Sequence, residues 1–268
     1  MRRCEEKNTI LDLLQARAER APDAVAIRAP DRTSLTYSDL LRWVESVVSF
    51  LNSAGICRGD SVAVVLPNGP EMAVAFLGVA AGAVCAPMNP AYRSGEFGFY
   101  LSDLNAKALL VQTGSASAAV AAAEKLGIPV LELAPNGEEP AGAFALSDNR
   151  PAQTSRDSVP QADDVALILH TSGTTSRAKR VPLTHINLLA SAGNIASALQ
   201  LTQADRCLNV MPLFHIHGLV GALLSSLAAG AGVICTSGFD GEQFLSWIET
   251  LAPTWYTAVP AIHQAILS

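Results

Sequence analysis

Short apolar runs alternate with amphipathic segments along most of the chain. Leu11, Leu14 and Ala18 repeat at helical spacing and predict the first helix. Thr36, with Asp39 three residues later, resembles a capping box and predicts that a second helix begins there and continues through Leu51. Runs rich in apolar and β-branched residues predict strands at 24–27, 61–66, 84–87, 108–111, 129–133, 165–169, 181–184, 208–210, 233–235 and 255–259. Further helices are predicted at 71–81, 96–104, 117–126, 185–199, 219–228, 244–251 and 261–267, and the apolar segment 71–81 is expected to be buried.

This alternation of strands and helices is typical of an α/β fold with a largely parallel sheet. It stops between Ala134 and Asp163, where prolines and scattered polar residues predict an irregular connection. We therefore expect a first α/β subdomain over 1–160, which ends in this proline-rich connection. Residues 161–268 are expected to begin a second α/β subdomain, which carries the loop described below.

The composition narrows the classes of function. The 268 residues carry a net charge of −6, so no overall positive field favours DNA or RNA, and nucleic acid is not an expected partner. The five cysteines include no C-x-x-C pair, which argues against a zinc site or a disulfide framework and fits a reducing cytoplasm. The segment 207–239 has no Asp, Glu, Lys or Arg. Its glycines and Pro212 nevertheless predict a buried strand–helix–strand unit rather than a membrane span.

The segment that follows the predicted strand 165–169 carries the clearest candidate chemistry. Five of the six residues 171–176 have hydroxyl groups, which can donate hydrogen bonds to phosphate oxygens, and Gly173 allows close backbone approach. Arg177 and Lys179 add positive charge, and a second strand is predicted to leave the loop. The spacing differs from G-x-x-x-x-G-K-[ST], so a Walker-type loop is a weak interpretation. A flexible polar turn without a ligand is the alternative.

Several stretches, in order along the chain, resemble motifs of the adenylate-forming superfamily. This superfamily contains acyl-CoA synthetases, luciferase-like enzymes and peptide-synthetase adenylation domains. The segment 170–179 resembles its phosphate loop, and 211–218 resembles the motif whose histidine faces the acyl pocket. Ser176, the pair His215 and His217, and the stretch 254–264 are most similar to oxalate–CoA ligases. Further similar stretches are 35–40, 60–63, 67–68, 86–90, 205–206 and 255–260.

The resemblance implies stacked mixed and parallel sheets with flanking helices, of which this chain would be the incomplete N-terminal domain. It implies AMP-forming acid–CoA ligation, with ATP, Mg²⁺ and coenzyme A as cofactors and a small carboxylic acid of the oxalate type as substrate. His215 would be the catalytic residue between the acyl pocket and the adenylate. The alternative for His215, and more so for His217, is a satisfied core histidine. The phosphates would be held by Thr171, Ser172, Gly173, Thr174, Thr175, Ser176 and Lys179, and no residue is expected to bind a metal ion directly.

This sequence departs from the family pattern at three places. Ala178 stands where the loop commonly has proline, and Arg180 stands where it has glycine. If that glycine needs a positive φ, Arg180 is strained; otherwise it adds charge near the phosphates. The family's later adenine, ribose and adenylation motifs and its mobile C-terminal domain are not found in these 268 residues. We therefore expect a fragment or truncated product that is inactive or incomplete alone, with exposed apolar surface that favours self-association.

Two other hypotheses remain open at the level of the sequence. The enzyme could activate a fatty, aromatic or malonate-like acid, or an amino acid, instead of oxalate. In a different class of function, the chain is a non-catalytic remnant that binds nucleotide weakly or acts only through association. Fold resemblance by itself does not decide between them.

Overall fold

The helices and strands follow the predicted alternation closely. The computed structural model describes residues 8–148, 150, 159–171 and 179–267. The helices are α1 (Ile10–Arg20), α2 (Tyr37–Ser53), α3 (Pro70–Gly82), α4 (Ser94–Asp103), α5 (Ala118–Leu126), α6 (His185–Ala198), a π-helix (His217–Leu224), α7 (Ser225–Ala229), α8 (Phe244–Leu251) and α9 (Pro260–Leu267). The strands are β1 (Val25–Arg28), β2 (Leu35–Thr36), β3 (Ser61–Val65), β4 (Val84–Pro87), β5 (Ala108–Gln112), β6 (Val130–Pro135), β7 (Phe144–Asp148), β8 (Val165–Thr171), β9 (Lys179–Thr184), β10 (Arg206–Asn209), β11 (Gly232–Cys235) and β12 (Trp255–Tyr256).

Within the described ranges, the first sheet has seven strands in the order β7-β6-β5-β3-β4-β8-β9. The strands from β6 to β8 in this order run parallel, whereas β7 and β9 are antiparallel edge strands. Val62 of β3 is the Cα partner of Cys85 on one side and of Ala108 on the other, which sets the register of the sheet centre. The carboxyl ends of the parallel strands therefore meet at one edge of this sheet.

The second sheet, in the same described part of the chain, has five strands in the order β12-β10-β11-β1-β2. Strands β12, β10, β11 and β1 run parallel, and β2 is antiparallel to β1. Their carboxyl ends form a second common edge. Two mixed sheets with flanking helices confirm the predicted α/β fold class.

The two sheets do not divide the chain at one point. Strands β1 and β2 precede residue 160 but belong to the second sheet, whereas β8 and β9 follow residue 160 but belong to the first. The predicted subdomain boundary near residue 160 therefore does not coincide with the division between the sheets. The physical reason is strand pairing, because β8 pairs with β4 and β1 pairs with β11 across large sequence separations.

Three hydrophobic clusters alternate with the two sheets as layers. The largest cluster joins the inner faces of both sheets to helices α1, α2, α3, α6 and α7, which lie between them. A second cluster packs α4 and α5 on the outer face of the first sheet, and a third packs α8 and α9 on the outer face of the second. Because both faces of each sheet are buried, the central strands are continuous apolar runs in the sequence.

Helix α3 is the most deeply buried element of the middle layer. Twelve of its thirteen residues are buried, and only Glu71 in its first turn is partly exposed. Gly78 lets α3 approach α2 closely, because a Cβ there would lie 2.6 Å from the Cβ of Val47. The sequence predicted that this helix is buried. Its close packing against α2 agrees with that prediction.

Three elements differ from the sequence prediction. The short strand β2, which pairs with β1, was not predicted. Strand β7 lies in the segment predicted to be an irregular connection, where its Leu146 pairs with Leu133 of β6 and Phe144 is buried. The pattern missed β7 because its apolar residues form only a short run, Phe144 to Leu146, within a segment rich in prolines and polar residues. The predicted helix 219–228 begins earlier, as a π-helix at His217, and continues as α7.

Exposed apolar side chains are found on the outer side of the second sheet. Leu245 of α8 and Leu267 of α9 are 63% and 87% exposed, and β12 is an edge strand of this sheet. Surface of this kind is consistent with the expected self-association, which stays a prediction. In the described residues, no helix combines the length and the apolar character needed to cross a bilayer.

Candidate functional site

The predicted phosphate loop connects the two strands of a hairpin. Thr171, the last residue of β8, is the Cα partner of Lys179, the first residue of β9, and both are exposed. A strand therefore enters the loop and a strand leaves it, as predicted. Because β8 is parallel to β4, Thr171 lies at the carboxyl-end edge of the first sheet. The five predicted residues Ser172, Gly173, Thr174, Thr175 and Ser176 lie outside the described residues.

Arg180 sits without backbone strain in β9. It is the Cα partner of His170 in extended antiparallel pairing and is not among the residues with positive φ. The strain alternative is therefore wrong for this position. Its guanidinium Nη1 instead donates a 2.9 Å hydrogen bond to the main-chain oxygen of Asp103 at the end of α4. The positive charge of Arg180 stays next to the base of the hairpin.

The predicted catalytic histidine lies in a tight turn that follows β10. Asn209, the last residue of β10, holds this turn: its Oδ1 accepts from Met211 N at 3.2 Å, and its Nδ2 donates to Gly218 O at 3.1 Å. His215 is exposed, and its ring packs 4.6 Å from that of Phe214. Although the residue is exposed, partial desolvation of its ring lowers the pKa of His215 from its usual value, which favours the neutral imidazole near pH 7. The core-residue alternative is therefore wrong for this exposed side chain.

His217 occupies a different environment two residues later. It is partly buried at the first position of the π-helix, and its Nε2 lies 2.7 Å from Thr257 Oγ1, just after β12. His217 therefore has a hydrogen-bond partner within the fold, as expected for the alternative of a satisfied core histidine. A π-helical turn widens the helix locally and is frequent next to functional sites.

Asn68 joins the edges of the two sheets. It lies in the loop that leaves β3, where its Oδ1 accepts from Leu213 N at 2.8 Å and its Nδ2 donates to Thr236 O at 2.9 Å. Leu213 follows β10 and Thr236 follows β11, so one side chain connects the carboxyl ends of both sheets. Ligands of open α/β sheets bind in the crevice outside such carboxyl ends. In the sequence, Asn68 stands out only because 67–68 resembles a superfamily motif. A single asparagine in a loop has no spacing pattern that would predict this contact.

The described residues contain no group of three His, Cys, Asp or Glu side chains placed to hold a metal ion. Mg²⁺ in nucleotide sites commonly keeps water ligands and binds substrate phosphates with few protein ligands. The exposed hydroxyl of Thr171 and ammonium of Lys179 at the hairpin base suit a nucleotide that brings its own Mg²⁺.

Comparisons with known proteins place the chain in one family. The model of the family described as "AMP-binding enzyme" matches residues 14–268. The chain is 42% identical over 268 residues to an oxalate–CoA ligase of Arabidopsis thaliana, with 98% of this chain and 52% of that protein covered. It is 36% identical over 276 residues to an oxalate–CoA ligase of Saccharomyces cerevisiae, with 92% and 51% covered.

Solved structures agree with this assignment. ATP-bound MatB from Rhodopseudomonas palustris matches with a TM-score of 0.81 and 26% identity, over 98% of this chain and 51% of that one. The inhibitor-bound N-terminal domain of FACL13 from Mycobacterium tuberculosis matches with a TM-score of 0.80 and 26% identity, over 97% and 65%. The chain spans about half the length of the curated relatives it matches. Because the family model covers residues 14–268, this chain belongs to the AMP-binding enzyme family.

Proposed function

We propose that this chain supplies the Mg-ATP-binding and carboxylate-binding part of an AMP-forming acid–CoA ligase that acts on oxalate. The observation that carries the proposal is the position of the hairpin base at Thr171 and Lys179. It lies on the same sheet edge as the β3 loop, whose Asn68 is bonded to the segment that carries His215. A polyanion at the hairpin and a carboxylate near His215 would occupy one crevice.

The proposed reaction has two steps. A carboxylate oxygen attacks the α-phosphorus of ATP, the bond to the bridging oxygen of pyrophosphate breaks, and acyl-AMP forms. The coenzyme A thiol, as it loses its proton, then attacks the acyl carbon, and AMP leaves. The obstacle in the first step is the repulsion between an anionic nucleophile and a polyanion, which Mg²⁺ and cationic side chains offset. No protein nucleophile is needed, so the residues act by positioning and charge.

Each proposed residue has a task that suits its place. Lys179 and the hydroxyl of Thr171, with Ser172, Gly173, Thr174, Thr175 and Ser176, hold the β- and γ-phosphates. His215 donates a hydrogen bond from a neutral imidazole to the acid, since its lowered pKa keeps the ring uncharged near pH 7. The buried thiols of Cys85, Cys207 and Cys235 fit a reducing compartment, and we place the protein in the cytoplasm.

Oxalate is proposed over other acids because of the relatives named above. Two relatives with other printed substrates are less similar: a feruloyl-CoA synthase of Amycolatopsis is 35% identical over 253 residues, and a sulfoacetate–CoA ligase of Cupriavidus necator is 31% identical over 269 residues. Ferulate and sulfoacetate are therefore the comparison acids for a test.

We expect saturating Mg-ATP to raise the thermal midpoint of the chain, and oxalate to raise it further. A ligand at 100 times its Kd adds about 2.7 kcal/mol to the stability of the folded state, which corresponds to several degrees. Ferulate and sulfoacetate should add less than oxalate at equal concentration. In His215→Ala, the increment from oxalate should be lost while that from Mg-ATP remains.

Differential scanning fluorimetry of the 268-residue chain measures these midpoints. A larger increment with ferulate than with oxalate would overturn the proposed substrate. The absence of any shift with Mg-ATP would count against the proposed function as a whole and would favour a remnant that acts only through association.

A further inference from the structure

We propose that Asp103, at the end of α4, is a positioning residue that clamps both strands of the β8–β9 hairpin through His170 and Arg180. The clamp fixes the separation of Thr171 and Lys179 before the nucleotide binds. This inference rests on the proposed function, because its consequence is an effect on Mg-ATP affinity.

The contacts converge on one residue from two strands. His170 Nε2 of β8 lies 3.1 Å from Asp103 Oδ2, and Arg180 Nη1 of β9 donates a 2.9 Å bond to the main-chain oxygen of Asp103. His170 and Arg180 are Cα partners, and the next pair along the hairpin is Thr171 with Lys179. The two residues that contact Asp103 are therefore the pair next to Thr171 and Lys179, the proposed phosphate-binding residues.

The environment of His170 makes the clamp stiff on the β8 side. Its side chain is only 6% exposed, and its ring lies 4.5 Å from the ring of Tyr100, centroid to centroid. Tyr100 in turn stacks on Tyr92 at 5.1 Å. An imidazole packed against this aromatic stack has few alternative rotamers, so its contact with Asp103 requires little further ordering.

The position of Asp103 at the end of a helix supports the same reading. The last carbonyl groups of a helix have no partner within it, and the negative end of the helix dipole favours cations. Arg180 satisfies one such carbonyl and brings positive charge to it. A carboxylate at this helix end is unfavourable by itself, and the neighbouring His170 and Arg180 offset that disadvantage.

A preformed hairpin base should matter for binding more than for folding. When the separation of Thr171 and Lys179 is already fixed, less conformational entropy is lost on nucleotide binding. Both contacts end on Asp103, whose side chain is 38% exposed, and contacts with solvent-exposed charged groups contribute little to global stability. Loss of the clamp should therefore weaken Mg-ATP binding while the thermal midpoint without ligand changes little.

The test compares Mg-ATP affinities by calorimetry on the full 268-residue chain. Arg180→Ala and Asp103→Ala are each expected to weaken binding about three- to fivefold, the size of an exposed polar contact. Asp103→Ala removes the contact with His170 but keeps the main-chain oxygen that Arg180 binds, whereas Arg180→Ala removes the contact on β9. The double variant should be weaker than either single variant by less than the product of the two effects, because the loss of either contact already frees one strand and the separation of Thr171 and Lys179 is no longer fixed. Arg180→Lys, which keeps a donor, should recover part of the affinity.

The matched control is Arg206→Ala. Arg206 lies at the start of β10, and its Nε donates a 2.9 Å bond to the main-chain oxygen of Ala252, the residue that caps the end of α8. This variant removes a similar arginine–carbonyl contact away from the hairpin and should keep wild-type affinity. Thermal midpoints of all variants without ligand show whether any of them fails to fold.

The outcomes separate the clamp from other roles of these residues. If Asp103 only repels phosphates, Asp103→Ala binds Mg-ATP as well as or better than the wild type, and the clamp is overturned. If the two single effects multiply in the double variant, Arg180 acts on the nucleotide independently of Asp103, which also overturns it. Wild-type protein that does not bind Mg-ATP overturns the proposed function and the clamp with it.

Discussion

Lowering the pH from 7 to 4.5 is expected to reduce the free energy of unfolding by roughly 2–3 kcal/mol through His185 alone. His185 opens α6, is 1% exposed, and its Nδ1 accepts a 3.2 Å hydrogen bond from the main-chain N–H of Ile10. Burial lowers the pKa of His185 to about 4, although the carboxylates of Asp164 and Asp12 act in the opposite direction. Protonation would charge a buried ring and remove its acceptor.

The sign follows from proton binding in the two states. In the unfolded chain the histidine pKa is near ~6.5, whereas in the folded chain it is about 4. Between these values the unfolded state binds more protons, so stability falls as the pH falls through this window. The contribution is fully present above the unfolded value and is lost below the folded value.

Urea unfolding at pH 7 and pH 4.5 measures the effect, and His185→Asn supplies the comparison. The asparagine oxygen can accept from Ile10 without titrating, so this variant should lose most of the pH dependence. The control is His263→Asn, because His263 is exposed, and it should keep the wild-type dependence. Equal pH dependence in the wild type and in His185→Asn would contradict the assignment to His185.

Gly218→Ala is expected to destabilise the protein by about 2–3 kcal/mol, the upper range for forcing an atom into a packed site. A Cβ at this position would lie 2.4 Å from Pro212 O and 3.0 Å from Met211 O, both main-chain atoms. Because these atoms belong to the turn that carries His215, the turn must move. We therefore expect lost stability together with loss of the oxalate-dependent shift.

Gly193→Ala in α6 is the matched control for this substitution. Nothing lies within 4 Å of a Cβ at Gly193, so alanine should stabilise the helix by about 0.5–1 kcal/mol. Chemical denaturation of both variants gives the comparison. If Gly218→Ala has the wild-type free energy of unfolding, the conclusion that the turn around His215 is tightly packed against Gly218 is wrong.

Local patterns along the chain predicted most of the architecture. Thr36 caps the start of α2 as predicted, because its hydroxyl accepts a hydrogen bond from Asp39 N, and α3 is buried as its apolar sequence indicated. The strand–loop–strand unit around 171–179 was also predicted from sequence, and the pairing of Thr171 with Lys179 confirms it. Each of these features depends on residues that are close in sequence, where periodicity and caps carry information.

Features that depend on distant residues could not be predicted in this way. Asn68 bonds to Leu213 and Thr236, more than 140 positions away, and no spacing in the sequence signals that contact. The clamp at Asp103 brings α4 to the β8–β9 hairpin by tertiary packing alone. The π-helix at His217 was read as an α-helix because both have similar apolar spacing over a few turns.

Calorimetric titration of the 268-residue chain with Mg-ATP is the most direct test of nucleotide binding at the β8–β9 hairpin. We predict saturable binding by the wild type that weakens about ten- to hundredfold in Lys179→Ala, the usual size of a charge-assisted phosphate contact. Lys107→Ala should bind as the wild type does, since Lys107 bonds through its main-chain N to Ser61 O, at the amino-end edge of the first sheet rather than at the carboxyl-end edge. Binding that is absent, or equally strong in the wild type and Lys179→Ala, would contradict the assignment of the hairpin as the phosphate site.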